Sequence, residues 1–248
     1  MPLVSIITPC YNPDAKLLET IVSVQNQTFK DYEHIIVDDA SSIEHSSDIT
    51  RMIEDDPKIR FIQRSWNAGP AVTRNRAISE ARGRFIAFLD ADDVWHPEKL
   101  EIQVRFMLEN KVYLSYTSYE VVDTMGKVLG QRVPPESLTY HDILKSNQIG
   151  CLTAIYDSEA LGKVYMPNVA KRQDMGLWLD ILKKIDRAYG LLEKPLARYR
   201  LGRNTVSSNK LSVLKYQWRI YREVEKLPLL KSLNYFRHYA YRGVTRKI

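Results

Sequence analysis

The 248-residue chain is poor in several features that would narrow its function at once. Its only two cysteines, Cys10 and Cys151, stand at unrelated spacings, which excludes a disulfide framework and a cysteine-based zinc site. No apolar run approaches the roughly 18 residues needed to cross a bilayer, so any membrane contact is expected to be peripheral. The opening MPLVSIITP has neither the basic leader nor the cleavage region of a signal peptide, and a cytoplasmic location is expected. Glycine is absent from TPCYNPDAK, residues 8–16, so the first strand does not lead into a G-x-G-x-x-G dinucleotide fingerprint. There is no internal repeat, low-complexity tract or Gly/Ser/Pro-rich linker to separate independent domains.

Acidic residues are nearly absent from one region only. From Leu211 onward nine Lys or Arg face two Glu, a balance of +7, which leaves −1 for residues 1–210 out of a net charge of +6. A near-neutral body with a basic, aromatic-rich tail points to one local partner surface. A uniformly basic chain would instead favour nucleic acid, which is disfavoured here.

What is present begins with alternation. Runs of β-branched and aromatic residues at Leu3–Thr8, Glu33–Val37, Ile59–Gln63 and Phe85–Leu89 are separated by helix-length segments at Ala15–Gln25, Glu44–Glu54 and Pro70–Ala81. Such a βαβαβαβ order predicts an α/β fold with a mainly parallel sheet flanked by helices and a ligand site at the carboxyl ends of the strands. Pro97 suits a first helical turn, with Leu100, Val104, Met107 and Leu108 as the buried face of the helix that follows. Strand character returns over Val112–Val122 and near Val128–Gln131. Beyond VPPES come a short helix near Tyr140–Lys145, a strand at Cys151–Tyr156, a helix over Asp174–Asp186 and a strand at Leu196–Arg200.

Four strand ends carry chemistry. The first ends in TPCYN, where Tyr11 is placed to stack on a flat ring; the second ends in VDDAS, where Asp38 and Asp39 are hydrogen-bond acceptors for an imide or a ribose. The third leads into NAGPAVTRN, with Asn67, Arg74 and Asn75 opening a helix beside Gly69. The fourth delivers Asp90, Asp92 and Asp93, three carboxylates within four positions, whose mutual repulsion calls for a cation. Extended residues two apart face the same way, so Asp90 and Asp92 can reach one ligand together. Hard oxygen donors of this kind select Mg²⁺ or Mn²⁺, and an aromatic, acceptors, a cation and carboxylates at one edge describe a nucleoside-diphosphate site.

In this order the motifs VSIITPCYN, SVQNQTF, IIVDDAS, NAGPAVTRN and FIAFLDADD resemble the family 2 glycosyltransferases of bacterial cell-surface polysaccharide synthesis, inverting enzymes with a GT-A fold. The resemblance runs from Val4 to about Ser208. It implies that Pro9, Tyr11 and Asp39 contact the uracil of a UDP-sugar, with Asp38 close by and Asn67 and Arg74 near the base or diphosphate. It further implies that Asp90 approaches the ribose, that Asp92 is the principal Mn²⁺ or Mg²⁺ ligand in a D-x-D motif, and that Asp93 lies in its shell or on the donor sugar. KRQDMGLWL, residues 171–179, resembles the family's acidic motif ahead of a helix and makes Asp174 the candidate base.

Departures from the family pattern sharpen the reading. The chain has Gln173-Asp174 where many members have Glu-Asp, and Gly202-Arg203 where a histidine often helps bind the metal; Arg200 or Arg203 is a candidate for diphosphate contact instead. It lacks the Q-x-x-R-W motif of processive synthases, which favours transfer of a single sugar. The expected organisation is a catalytic domain over 1–208, with a nucleotide-binding half (1–95) and an acceptor-side half (96–208), followed by a helical extension over 209–248. In the extension, Lys215, Arg219, Arg222 and Lys226 share one helical face, and Leu211, Leu214, Trp218 and Tyr221 the other. Such a segment suits an anionic membrane surface, on the inner face of the cell membrane, or packs its apolar side on the catalytic domain. The resemblance thus implies transfer from a UDP-sugar to a glycan or lipid-linked glycan acceptor. A sugar nucleotidyltransferase, or a membrane-associated scaffold with a degenerate transferase fold, are the alternatives.

Overall fold

The computed structural model describes residues 1–53, 56–202 and 210–245, with side chains described from residue 213 to 241 in the last stretch. Sequence expectations for Arg203, Ser208, Arg246 and Lys247, and for the side chains of Leu211 and Arg242, lie outside the described residues. The amino-terminal half alternates β1 (Val4–Cys10), α1 (Lys16–Gln25), β2 (Tyr32–Asp38), α2 (Ile43–Ile53), β3 (Ile59–Gln63), α3 (Pro70–Glu80) and β4 (Phe85–Phe88). Then follow β5 (Val94–Trp95), α4 (Lys99–Asn110), β6 (Leu114–Thr117), β7 (Tyr119–Val122), β8 (Val128–Arg132), β9 (Ser137–Leu138) and α5 (Tyr140–Lys145). A 3₁₀ turn at Cys151–Thr153 precedes β10 (Ile155–Asp157), α6 (Ser158–Leu161), α7 (Gln173–Leu182), β11 (Ala188–Leu191) and β12 (Ala197–Arg200). The chain closes with α8 (Lys210–Arg219), a π-helical turn at Ile220–Val224 and α9 (Leu229–Thr245).

Eight strands form one sheet in the order β3-β2-β1-β4-β10-β6-β11-β9. β3, β2, β1 and β4 run parallel, and β10 enters antiparallel between β4 and β6. A second sheet, β5-β12-β7-β8, stands beside the carboxyl end of β4. Alternation along β1 explains the layering. Ile6 faces a core with Val24 of α1 and Leu100, Val104 and Met107 of α4, whereas Ile7 faces one with Ala77 and Ile78 of α3 and Trp178 of α7. Both faces of the central strands are therefore dry, as a parallel sheet requires.

Several expectations change at this stage. The run Val112–Val122 is two strands in two sheets: the chain leaves the large sheet after Thr117, and Ser118 bridges to Leu191 and Leu196 by backbone hydrogen bonds. The expected strand at Cys151–Tyr156 starts as a 3₁₀ turn, because the Thr153 N–H and hydroxyl both donate to the Gly150 carbonyl. α7 stops at Leu182, four residues short of Asp186. On α4, Leu108 is 43% exposed, and the face assigned to it is completed by Gln103 and Lys99. The Lys99 ammonium donates to Gln103 Oε1 at 2.7 Å and lies 4.2 Å from the Trp95 ring centre, so burial is offset by a hydrogen bond and a π face.

The carboxyl-terminal helices do not form one continuous amphipathic rod. Ile220 and Tyr221, in the π-helical turn, are fully buried in the core that contains Ile7 and Trp178, with Trp218, Leu227, Tyr235 and Phe236 packed against it. Lys226 leaves the basic face expected for it, since its left-handed backbone (φ 51°) reverses the chain into α9. Glu225 ties this corner down, accepting from Lys183 at 2.8 Å and from the Tyr140 hydroxyl. The Tyr221 hydroxyl donates to the Leu144 carbonyl. The apolar side of the extension packs on the body, and its basic side chains Arg222, Lys226, Lys231 and Arg237 stay exposed.

Candidate functional site

A cleft of about 1500 Å³ opens at the carboxyl ends of β1, β2 and β4, where a doubly wound sheet concentrates its ligands. Pro9, Tyr11, Asp39, Asn67, Arg74, Asp90, Asp92, Asp93 and Asp174 line it, nine of the ten residues to which the resemblance gives a donor, metal or base role. Tyr11 is 55% exposed at the rim.

The exception is Asp38. It is fully buried and outside the cleft, where its carboxylate accepts from the Ser41 hydroxyl and backbone and, at 3.1 Å, from the Ser46 hydroxyl. Ser41 in turn accepts from the Asn12 N–H at 2.7 Å, and Asn12 Oδ1 accepts from the Ser42 N–H at 3.0 Å. The loops after β1 and β2 are thereby stitched together. Asp39 points the other way, as alternation dictates. Its carboxylate accepts from the Ala68 N–H at 3.1 Å and the Gly69 N–H at 2.7 Å, and lies 3.5 Å from Arg64 Nε. Gly69 has φ +86°, a conformation that a side chain would strain, and from it α3 starts with Pro70 at its first turn.

Arg74, one turn into α3, is only 7% exposed and forms an ion pair with Asp90. Burial alone would lower its pKa, but the charge and hydrogen bond of Asp90, with Asp174 contributing, hold it above the ordinary arginine value. Its buried Nε has no hydrogen-bond partner among the described residues.

The three carboxylates of DADD separate by role. A turn closed by Asp93 N–H to Asp90 C=O re-aims the chain after β4. Asp92 projects into the cleft and makes no ion pair among the described residues; desolvation by the walls and the charge of Asp90 raise its pKa, with Lys16 and Arg200 opposing. Asp93 turns under the floor: it is 1% exposed, and its Oδ1 accepts from the Arg200 N–H at 2.8 Å. Burial, then Asp92 and Asp90, push its carboxyl well above the usual range. Asp93 thus braces the turn against β12 from beneath the cleft, next to Asp92.

Arg200 is also spoken for. Its Nε donates to the Asp92 carbonyl at 3.1 Å and its guanidinium pairs with Glu19, which anchors the acidic turn to α1 and β12 and leaves diphosphate contact to other cations. Asp174 is the second residue of α7; Arg172, with a left-handed backbone (φ 66°), occupies the cap position. Asn147 Nδ2 donates to Asp174 Oδ2 at 2.8 Å, and among the described residues Oδ1 accepts no hydrogen bond. Sequence reasoning missed Asn147, for which no pattern gives a signal, and the contribution of Val213, Leu214, Tyr239 and Ala240 to the far wall.

Among the described residues no three His, Cys, Asp or Glu side chains converge on one metal position. A divalent ion held here would take few protein ligands, and Asp92, a partly desolvated carboxylate under repulsion from Asp90, has the donor chemistry for it. Burial raises the thiol pKa of both Cys10 and Cys151.

The family model for glycosyl transferase family 2 matches residues 5–156. The chain is 43% identical, over all of its length and 98% of the relative's, to a putative teichuronic acid biosynthesis glycosyltransferase, TuaG, of Bacillus subtilis. It is 37% identical, over 98% of its length and 94% of the relative's, to the UDP-Glc:α-D-GlcNAc-diphosphoundecaprenol β-1,3-glucosyltransferase WfgD of Escherichia coli. Among solved structures, residues 1–349 of S. aureus TarS in complex with UDP-GlcNAc superpose with a TM-score of 0.74 at 20% identity, covering 99% of this chain and 73% of that one. The mannosyltransferase PcManGT of Pyrobaculum calidifontis, in complex with GDP-Man and Mn²⁺, gives 0.70 at 15% identity, covering 100% of this chain and 76% of that one. The arrangement is the GT-A fold that the motif order implies.

Proposed function

The chain belongs to glycosyl transferase family 2 and is a glycosyltransferase, and from that premise we propose that it transfers one sugar, with inversion, from a UDP-sugar to a hydroxyl of a lipid-linked cell-surface glycan. The observation that carries this reading is the convergence of Asp39, Arg74, Asp92 and Asp174 on one cleft from four separate segments. Pro9, Tyr11, Asp39 and Asn67 form the base side, with Tyr11 free to lie on a ring. Arg74 holds Asp90 and brings its positive charge to the phosphate side of the cleft. Asp92, with Asp90 near it, would hold Mn²⁺ or Mg²⁺, which supplies Lewis-acid stabilisation of the departing diphosphate. Asp174, oriented by Asn147, takes the proton from the acceptor hydroxyl through Oδ1. The names of relatives support a UDP-sugar donor and a diphosphoundecaprenol-linked acceptor, and a β-linked product from UDP-Glc is an inverting outcome.

Peripheral membrane binding is part of the proposal. No helix among the described residues is long and apolar enough to cross a membrane. Yet α9 turns Leu230 (81% exposed), Leu233 and Tyr241 outward with Arg237 on the same side, and Lys226 and Lys231 flank them. Each basic side chain near an anionic surface contributes about 1 kcal/mol.

The test is Asp174→Asn. Transfer, measured as UDP release with lipid-linked glycan as acceptor, is expected to fall by about 10²- to 10⁴-fold, the range for loss of a general base, while UDP affinity by calorimetry holds. A normal transfer rate would refute the assignment.

A further inference from the structure

Two cations stand three and two positions before the candidate base, and the reaction so far gives them no task. Lys171 and Arg172 line the cleft, and among the described residues neither forms an ion pair. Arg172 is instead held by an aromatic side chain from α9: it donates to the Tyr239 hydroxyl and lies 5.3 Å from that ring's centre. A guanidinium kept without a carboxylate and clamped by a neutral hydroxyl retains its charge for a ligand. Beside it the wall turns apolar, through Val213 and Leu214 of α8 and Ala240 of α9. α9 is also the helix that exposes Leu230 and Leu233.

We propose that Lys171 and Arg172 bind the diphosphate of the acceptor, an alkyl-diphosphate-linked sugar, whose first isoprenoid units lie along Val213, Leu214 and Ala240. The inference rests on the glycosyltransferase reading above and assigns the acceptor subsite of the same cleft. Two diphosphates take part in that reaction, the donor's and the acceptor's. The donor's belongs near Arg74 and Asp92, at the strand ends. Arg172 and Asp174 are two residues apart, so their Cα atoms lie within about 7 Å, the reach of one sugar ring. A sugar attached to a diphosphate at Arg172 can therefore reach Asp174 with one of its hydroxyls. Tyr239 acts as a positioning residue for Arg172.

The test uses the full chain with UDP and Mn²⁺ at saturation, so that the donor site is filled, and decyl diphosphate as the probe in calorimetry. Lys171→Gln with Arg172→Asn removes both charges, and Asn tolerates the left-handed backbone of residue 172. The expected result is that wild type binds decyl diphosphate beside UDP, and that the double variant binds it about 10- to 100-fold more weakly, as loss of charge-assisted hydrogen bonds predicts. Its UDP affinity and melting temperature should hold. Tyr239→Phe, which keeps the ring and drops the hydroxyl, should cost about threefold, a fraction of one hydrogen bond. Inorganic pyrophosphate should bind more weakly than decyl diphosphate; equal binding would remove the apolar wall from the proposal. Equal decyl diphosphate affinity in the double variant would overturn it, and so would a matching loss of UDP affinity, which would give the pair to the donor. Failure of wild type to bind UDP would instead sink the underlying enzyme reading, and decyl diphosphate alone would still test the pair.

Discussion

Replacing Asp92 with Asn should move stability in opposite directions depending on what is bound. In the free protein the Asp92 carboxyl has a pKa above its ordinary value, because the cleft walls desolvate it and Asp90 repels it. A carboxyl whose folded pKa is raised costs stability at any pH where it is ionised, and the cost disappears as pH falls through that pKa. Asp92→Asn removes the charge at neutral pH. Asp92 is exposed enough for solvent to screen most of the repulsion, so the gain is at most about 1 kcal/mol. For a chain of this length that is a rise of about 2–4 °C in melting temperature. With UDP and Mn²⁺ at a hundred times Kd, wild type gains about 2.7 kcal/mol by mass action, or roughly 5–10 °C. The variant should lose the Mn²⁺-dependent part of that shift. Differential scanning fluorimetry with UDP, Mn²⁺, both, or both plus a chelator reads all four states. An Mn²⁺-dependent shift in the variant equal to that of wild type would refute the metal role. A free variant melting several degrees below wild type would show that the carboxylate is a structural anchor and not a strained ligand.

Two other expectations concern places remote from the strand ends. Leu230→Glu with Leu233→Glu should reduce cosedimentation with vesicles containing anionic lipid by at least about tenfold, since two exposed leucines are replaced by charges that the surface repels. Unchanged cosedimentation would remove α9 as the membrane face. Deletion from Leu211 onward is unsuited to this purpose, because Ile220 and Tyr221 belong to the core. His34 is fully buried, with its Nε2 2.8 Å from the Thr8 hydroxyl, its Nδ1 without a partner and its pKa pushed by burial from 6.5 to about 3. The folded state therefore resists its protonation, and stability should hold above about pH 6.5 and decline by up to roughly 1.4 kcal/mol per pH unit toward pH 3. Urea midpoints across that range should fall less steeply in His34→Gln, and parallel profiles would refute the contribution.

The legible part of this fold is the part held together locally. β1 to β4 and their helices carry their own periodicity and turn residues, so residue patterns locate them to within a few positions, and the acidic cluster is conspicuous because it ends a buried strand. The switch at Ser118 is invisible in the same way that a continuous β-type run is: propensity says that a segment is extended, and pairing partners far away decide which sheet it joins. The partners of Asp93 and Arg200 are hidden for a related reason. The turn at Asp90–Asp93 sends one carboxylate under the floor, where a backbone N–H 107 positions later meets it. Asn147 on Asp174, and Tyr239 on Arg172, are contacts across 27 and 67 positions between residues that look unremarkable in isolation.

The π-helical corner has an evolutionary corollary. Residues 5–156 match the family, yet Ile220 and Tyr221 complete the hydrophobic interior and Tyr239, a short way downstream, faces the cleft. A chimera that borrowed this last portion from a cousin with a different preference would import a new lining and a mismatched keystone together. Substrate range in this lineage should therefore drift by single side-chain replacements on α8 and α9 more readily than by wholesale recombination.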